Sequence, residues 1–177
     1  MARLNAINPD EALGKTKELF NTISSKFGGV SNMMRTMGNA PNLLEGFINF
    51  YGSLNGGSLG SKTNELIALV VAEANGCNYC IAAHRYVGLN FLKLDMETID
   101  NAREGVSKDV KVDAILKFAL LLIEKTGRVN DEDIQALKAV GVTEGEISEI
   151  IGQVALNIFT NYFNKVAGTE LDNFLKQ

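Results

Sequence analysis

The sequence predicts an all-α fold, and three observations carry that expectation. Apolar residues recur at helical spacing along most of the chain, capping residues stand where those runs begin, and strand-like alternation is nowhere sustained. The connections are short, with no low-complexity segment, linker or internal repeat. At 177 residues the chain is long enough to bury a real core, and the expected organisation is one helical domain over residues 1–177.

Each helix has its own signals. Asn8-Pro9-Asp10-Glu11 reads as an N-cap, a proline at the first helical position and acids in the first turn, opening a helix to about Lys26 that Gly28-Gly29 breaks. After a short segment around Met33 to Gly38, Pro41 opens a second helix that fades at Gly56-Gly57. Leu59-Gly60-Ser61 starts a nearly all-apolar helix ending at Asn75-Gly76, and another runs from about Asn78 to Val87. Asp95 caps a helix to about Glu104. Val112, Ile115, Leu116, Ala119, Leu122 and Ile123 mark a long helix ending at Gly127. Asn130-Asp131-Glu132-Asp133 starts a short helix that stops at Gly141, and Thr143 with Glu146 forms a capping box for the last, to about Ala167. Phe118 to Ile123 is apolar on every side, and Ile150 to Phe163 nearly so apart from its asparagines. A helix apolar all round lies in a core or a subunit interface, so a homo-oligomer is expected.

Composition narrows the function. With 17 basic and 21 acidic residues the net charge is −4, and no basic run offers a nucleic-acid footprint. No stretch reaches the ~20 apolar residues of a membrane helix, and Asp10 and Glu11 interrupt the N-terminus before any leader-like apolar core. The expected partners therefore include neither nucleic acid nor membrane, and the expected location is the cytoplasm. Two cysteines are too few for a secreted disulfide framework, so their spacing is read as chemistry or metal binding.

Both cysteines and the only histidine stand together in Asn75-Gly76-Cys77-Asn78-Tyr79-Cys80-Ile81-Ala82-Ala83-His84. Gly76 can take the left-handed conformation that ends one helix, which puts Cys77 at the start of the next. At helical spacing Cys77, Cys80 and His84 share a face. Regular helical spacing leaves the Cβ atoms ~5–6 Å apart, wider than the ~3.5–4.5 Å a disulfide wants. Bridging therefore needs a first turn that can adjust, which suits a cycling bond better than a structural one. A first turn also favours thiolate through its free N–H groups and the helix dipole. Lowering a thiol pKa from ~8.5 to about 6 raises the thiolate fraction at pH 7 roughly thirtyfold. That falls short of enzymatic rate enhancement, so a proton relay is also needed.

Glu65 lies ten residues before Asn75, about 15 Å back along its helix, and His84 eight residues after Gly76, about 12 Å along the next. Folded as an antiparallel hairpin, the two come level, and a carboxylate beside an imidazole orients it for proton transfer. Glu73, nearer the turn and level with Cys80, is the competing carboxylate. Structural zinc wants four ligands and no second Cys/His pair exists, so no metal is expected. Asn157, Asn161 and Asn164 stripe the last helix and read as bonds to neighbouring helices rather than to substrate. Met33, Met34 and Met37 read as core filler.

At these residues the sequence resembles the AhpD-like alkylhydroperoxidases of the carboxymuconolactone decarboxylase superfamily. Their pattern, a glutamate and after eleven residues C-x-x-C-x-x-x-H, is met by Glu65, Cys77, Cys80 and His84. The specific match covers about residues 59–89. A looser likeness to peroxidase-related members runs through Asn161-Tyr162-Phe163-Asn164-Lys165-Val166-Ala167-Gly168-Thr169-Glu170-Leu171-Asp172. The resemblance implies an AhpD-like helical fold, with a helix hairpin carrying the motif, assembled as trimers or hexamers. It implies hydroperoxide reduction without haem or flavin, the disulfide being re-reduced by a dithiol, with a lipoylated protein as one candidate. By motif match Cys80 would become the sulfenic acid, Cys77 would donate a proton and resolve it, and Glu65 and His84 would relay protons. One position departs: where the best-known hydroperoxidase of the family has histidine, this chain has Tyr79, a phenol of pKa ~10 that is a poor base near neutrality. Two other readings stand beside this one. One is lactone decarboxylation, a branch that lacks the redox cysteines. The other is a redox-sensing or structural oligomer with a switchable disulfide.

Overall fold

The computed structural model describes residues 2–176, which contain nine α-helices, a short 3₁₀ turn and, among the described residues, no strand. The helices are α1 Gly14–Phe27, α2 Asn32–Met37, α3 Pro41–Asn55, α4 Gly60–Ala74, α5 Asn78–Asn90, α6 Met96–Arg103, α7 Val110–Glu124, α8 Asp131–Ala139 and α9 Glu144–Ala167. The 3₁₀ turn η1 spans Asn173–Leu175 and was not foreseen.

The cap chemistry decides most boundaries. Asp95 accepts from the Thr98 N–H at the head of α6, and Asn130 with Asp133 and Thr143 with Glu146 form reciprocal capping boxes on α8 and α9. The first helix differs from expectation. Asn8 Oδ1 accepts from the Asp10 N–H at 3.2 Å, closing a local turn, and the helix begins only at Gly14. Gly14 sits at φ +53°, which a right-handed helix cannot pass through, so Pro9 heads a turn rather than a helix. α5 runs three residues beyond Val87, to Asn90.

α4 is the central helix. Leu66 to Ala72 are all buried, and α5, α6, α7 and α9 pack around it. The largest core joins α4, α6, α7 and α9 through Ile67, Val71, Ile99, Leu116, Ala119, Ile150 and Val154. A second core under α1, α2 and α3 holds Phe20, Ile23, Met37, Leu44 and Leu156. α7 is covered by α4, α8 and α9, so the all-round hydrophobicity of Phe118 to Ile123 is accounted for inside the chain and does not require a subunit interface. Among the described residues no helix is long and apolar enough to cross a membrane.

Candidate functional site

The turn between α4 and α5 builds the site. Gly76 adopts φ +60°, its N–H bonds to Glu73 O at 2.9 Å, and the Cys77 N–H bonds to Ala72 O at 2.9 Å. This pair of bonds closes the C-terminus of α4 and reverses the chain within two residues. Cys77 is thereby delivered as the N-cap of α5, at φ −96° and ψ 90°, and its Sγ accepts from the Cys80 N–H at 3.3 Å. Cys77 stands outside the helical conformation, and this answers the spacing problem. The Cα atoms of Cys77 and Cys80 are 5.3 Å apart, and the two residues are joined as a disulfide.

The hairpin brings Glu65 and His84 together, His84 Nδ1 lying 2.8 Å from Glu65 Oε1. With Nδ1–H donated to the carboxylate, Nε2 is left free to accept or give a proton on the far side of the ring. The His84 side chain is 23% exposed and that of Glu65 12%, so the histidine is the member that solvent or a substrate can reach. Glu73 is engaged elsewhere: its carboxylate takes the Arg103 Nε–H of α6 at 2.8 Å. Tyr51 of α3, which the sequence reading did not single out, joins the neighbourhood of Glu65. Burial first, and the Glu65 charge second, push its phenol above the usual range.

Tyr79 has a different part from a relay. Its hydroxyl is buried and donates to Asp172 Oδ2 at 2.6 Å, while Asp172 Oδ1 accepts from the Asn32 N–H at 2.9 Å. Burial, then the hydrogen bond and charge of Asp172, hold the phenol far above its ordinary pKa. Tyr79 thus ties α5 to the C-terminal segment and the head of α2. Tyr79→Phe is expected to cost about 1.5–3 kcal/mol of stability, the range for hydrogen bonds to charged groups, measured by denaturant unfolding.

The sulfurs are covered. Cys77 is 1% and Cys80 3% exposed, and they pack with Ala72, Met33, Tyr86, Leu171 and Leu175. The asparagine stripe divides. Asn157 bonds within its own helix to Gln153 O, whereas Asn161 Oδ1 takes Asn75 Nδ2 at 3.0 Å and Asn164 Nδ2 reaches Cys80 Sγ at 3.4 Å. Asn164 was expected only to bond a neighbouring helix. Its contact with the sulfur has no local sequence signal. An apolar cavity of about 360 Å³ between α3 and α9, lined by Leu43, Phe47, Phe50, Leu156 and Phe159, includes none of Glu65, Cys77, Cys80 and His84. Among the described residues no group of three or more His, Cys, Asp or Glu side chains is arranged to hold a metal ion.

Comparison with known proteins bears on the fold. The model of the carboxymuconolactone decarboxylase family matches residues 41–103, the segment from α3 through the Cys77–Cys80 turn to α6. No curated protein matches the chain. Among solved structures, the alkylhydroperoxidase AhpD core of an uncharacterised peroxidase-related protein from Ralstonia eutropha JMP134 has a TM-score of 0.86 at 21% identity, covering 98% of this chain and 94% of its own. A peroxidase-related protein from Silicibacter sp. TM1040 gives 0.83 at 22%, covering 99% and 97%. The debrominase Bmp8 gives 0.79 at 18%, covering 98% and 94%, and another structure of it holds 2,3,4-tribromopyrrole. At these identities the likeness carries the fold, which is all-α and AhpD-like over nearly the whole chain.

Proposed function

We propose that this chain, of AhpD-like fold, is a carboxymuconolactone decarboxylase family protein and a thiol-dependent hydroperoxidase that cycles Cys77 and Cys80 between dithiol and disulfide. The observation that carries this reading is the closed Cys77–Cys80 pair at the head of α5, on the same helix hairpin as the Glu65–His84 pair. The Cys80 thiolate attacks a hydroperoxide oxygen, the O–O bond breaks, and the alcohol leaves with a proton relayed from His84. Cys80 is then a sulfenic acid; the Cys77 sulfur displaces water from it and forms the disulfide. A dithiol reductant, a lipoylated protein being one candidate, returns two electrons and two protons to the pair and becomes a disulfide itself.

The test is a peroxide panel assayed with several dithiols. Many equivalents of peroxide consumed per chain support a catalyst, and consumption that stops after one equivalent supports a redox sensor. No consumption with any pair removes the peroxidase reading. Because the fold is shared with a debrominase, a bromopyrrole belongs in the same panel. There, two thiols would convert the C–Br bond to C–H, yielding the disulfide and hydrogen bromide. Lactone decarboxylation needs no thiol cycle and would survive Cys77→Ser.

A homo-oligomer, trimer or hexamer, belongs to the same proposal. Leu43 and Phe50 of α3 and Ile151 of α9 stand exposed, and apolar surface of that kind favours association. Sedimentation at micromolar concentration should show the assembly, and a stable monomer there would remove it.

A further inference from the structure

α9 sends three polar side chains to the redox turn. Asn161 Oδ1 accepts from Asn75 Nδ2, Lys165 Nζ donates to Asn75 O at 2.8 Å, and Asn164 Nδ2 reaches Cys80 Sγ at 3.4 Å and Met33 Sδ at 3.2 Å. The first two fix the chain ahead of Gly76. The third touches a reacting atom. Asn164 is 3% exposed, and its Oδ1 has no hydrogen-bond partner. An amide buried this deeply is normally satisfied at both ends. Here it spends its donors on a disulfide sulfur and a thioether, both weak acceptors, and leaves its carbonyl empty.

The weak sulfur acceptor belongs to the oxidised form, and the carbonyl stays empty until a donor reaches it. A Cys80 thiolate accepts the same N–H as a charge-assisted hydrogen bond, stronger than one to a neutral sulfur. A Cys80 sulfenic acid brings an O–H, the donor that Oδ1 lacks. We propose that Asn164 stabilises the thiolate and sulfenic forms of Cys80, its Nδ2 donating to the thiolate and its Oδ1 accepting the sulfenic O–H, and thereby sets how readily the Cys77–Cys80 disulfide opens. The inference rests on Cys80 being redox-active as read above, but not on a hydroperoxide being the substrate. On reduction, a dithiol gives two electrons and two protons to the cysteines and becomes a disulfide, after which Cys80 loses its proton. The ionisable groups around α5 point to other partners: Glu65 with His84, Glu73 with Arg103, Tyr79 with Asp172, Lys165 with the Asn75 carbonyl and Arg85 with Met96 Sδ, while the Tyr86 ring packs in the same cluster as the cysteines. Among the described residues, Asn164 is the side chain that donates to the Cys80 sulfur.

The experiment follows alkylation of Cys80 by iodoacetamide across pH in a Cys77→Ser background. Asn164→Leu should move the inflection up by about one unit, which is roughly a tenfold slower reaction at neutral pH. Asn164→Asp, which exchanges one nitrogen for oxygen, should move it the same way by setting a second negative charge beside the sulfur, and it decides the matter if the leucine variant does not fold. In the parent chain with ¹⁵N-labelled asparagine, one side-chain NH₂ pair should shift on reduction of the disulfide. An unchanged inflection in Asn164→Asp overturns the proposal, as does an unshifted amide spectrum in the parent. Peroxide turnover that is absent from the parent while the inflection still moves removes the peroxidase reading and leaves this one in place.

Discussion

Glu65→Gln and His84→Ala are each expected to lower hydroperoxide turnover at least tenfold with the helical fold retained. Proton transfer by a positioned side chain is typically worth ~10²–10⁴-fold, and the two residues form one unit through the 2.8 Å contact between Nδ1 and Oε1. Glutamine keeps the shape of Glu65 but presents an amide in place of the carboxylate beside Nδ1, which weakens the hydrogen bond that orients the ring. The double variant should lose little more than the worse single one, as residues acting together do. Glu73→Gln is the control, since Glu73 bonds Arg103 on the far helix. Its turnover should stay within a factor of three, and its cost should be the small one of a half-exposed ion pair. Steady-state rates with circular dichroism on each variant decide the issue. A Glu73 variant more damaged than the Glu65 variant would hand the relay to the wrong-side carboxylate.

The second large effect concerns the order of the cysteines. Cys77→Ser treated with one equivalent of hydroperoxide should leave a sulfenic acid on Cys80 that a dimedone-type trap labels. Cys80→Ser should react little faster than a free thiol and take little label on Cys77. Both variants should lose catalytic turnover with a dithiol, because neither can close the disulfide. Among the described residues each sulfur has one donor, Cys77 from the Cys80 N–H and Cys80 from Asn164. What separates them is position. Cys80 stands four residues before His84 on α5, whereas Cys77 is the cap outside the helix. Peptide mass spectrometry after trapping reads the result, and label on Cys77 in the second variant with none on Cys80 in the first reverses the order.

What the sequence disclosed was local. The α4–α5 hairpin is legible because Gly76, Cys77 and the apolar run before them each have one sensible backbone role, and counting residues from the turn brings Glu65 level with His84. The same local reasoning misplaced the head of α1, where Asn8 and Pro9 satisfy the rules for a helix start equally well as those for a turn. The conformation of Gly14, several residues on, selects the turn. Contacts across the chain left no trace. Asn164 meets Cys80 over 84 positions and Tyr79 meets Asp172 over 93, and an asparagine in a helix or an aspartate in a tail reads the same whether or not such a partner exists. The apolar character of α7 was legible, but a periodic pattern does not say whether its cover comes from the same chain or another.

The segment that closes over the cysteines has a consequence for how the pair communicates with the cell. Leu171 and Leu175 belong to the same hydrophobic cluster as the disulfide, and the Tyr79–Asp172 bond pins the stretch between them. A soluble thiol can attack only a sulfur it can touch, so exchange waits on a local opening whose frequency the packing of these few side chains controls. Under the proposed cycle the pair is therefore insulated kinetically, whatever its equilibrium potential. Small thiols that are abundant but undirected would drain it slowly, and a partner that loosened this segment as it docked would gain access that the bulk thiol pool lacks.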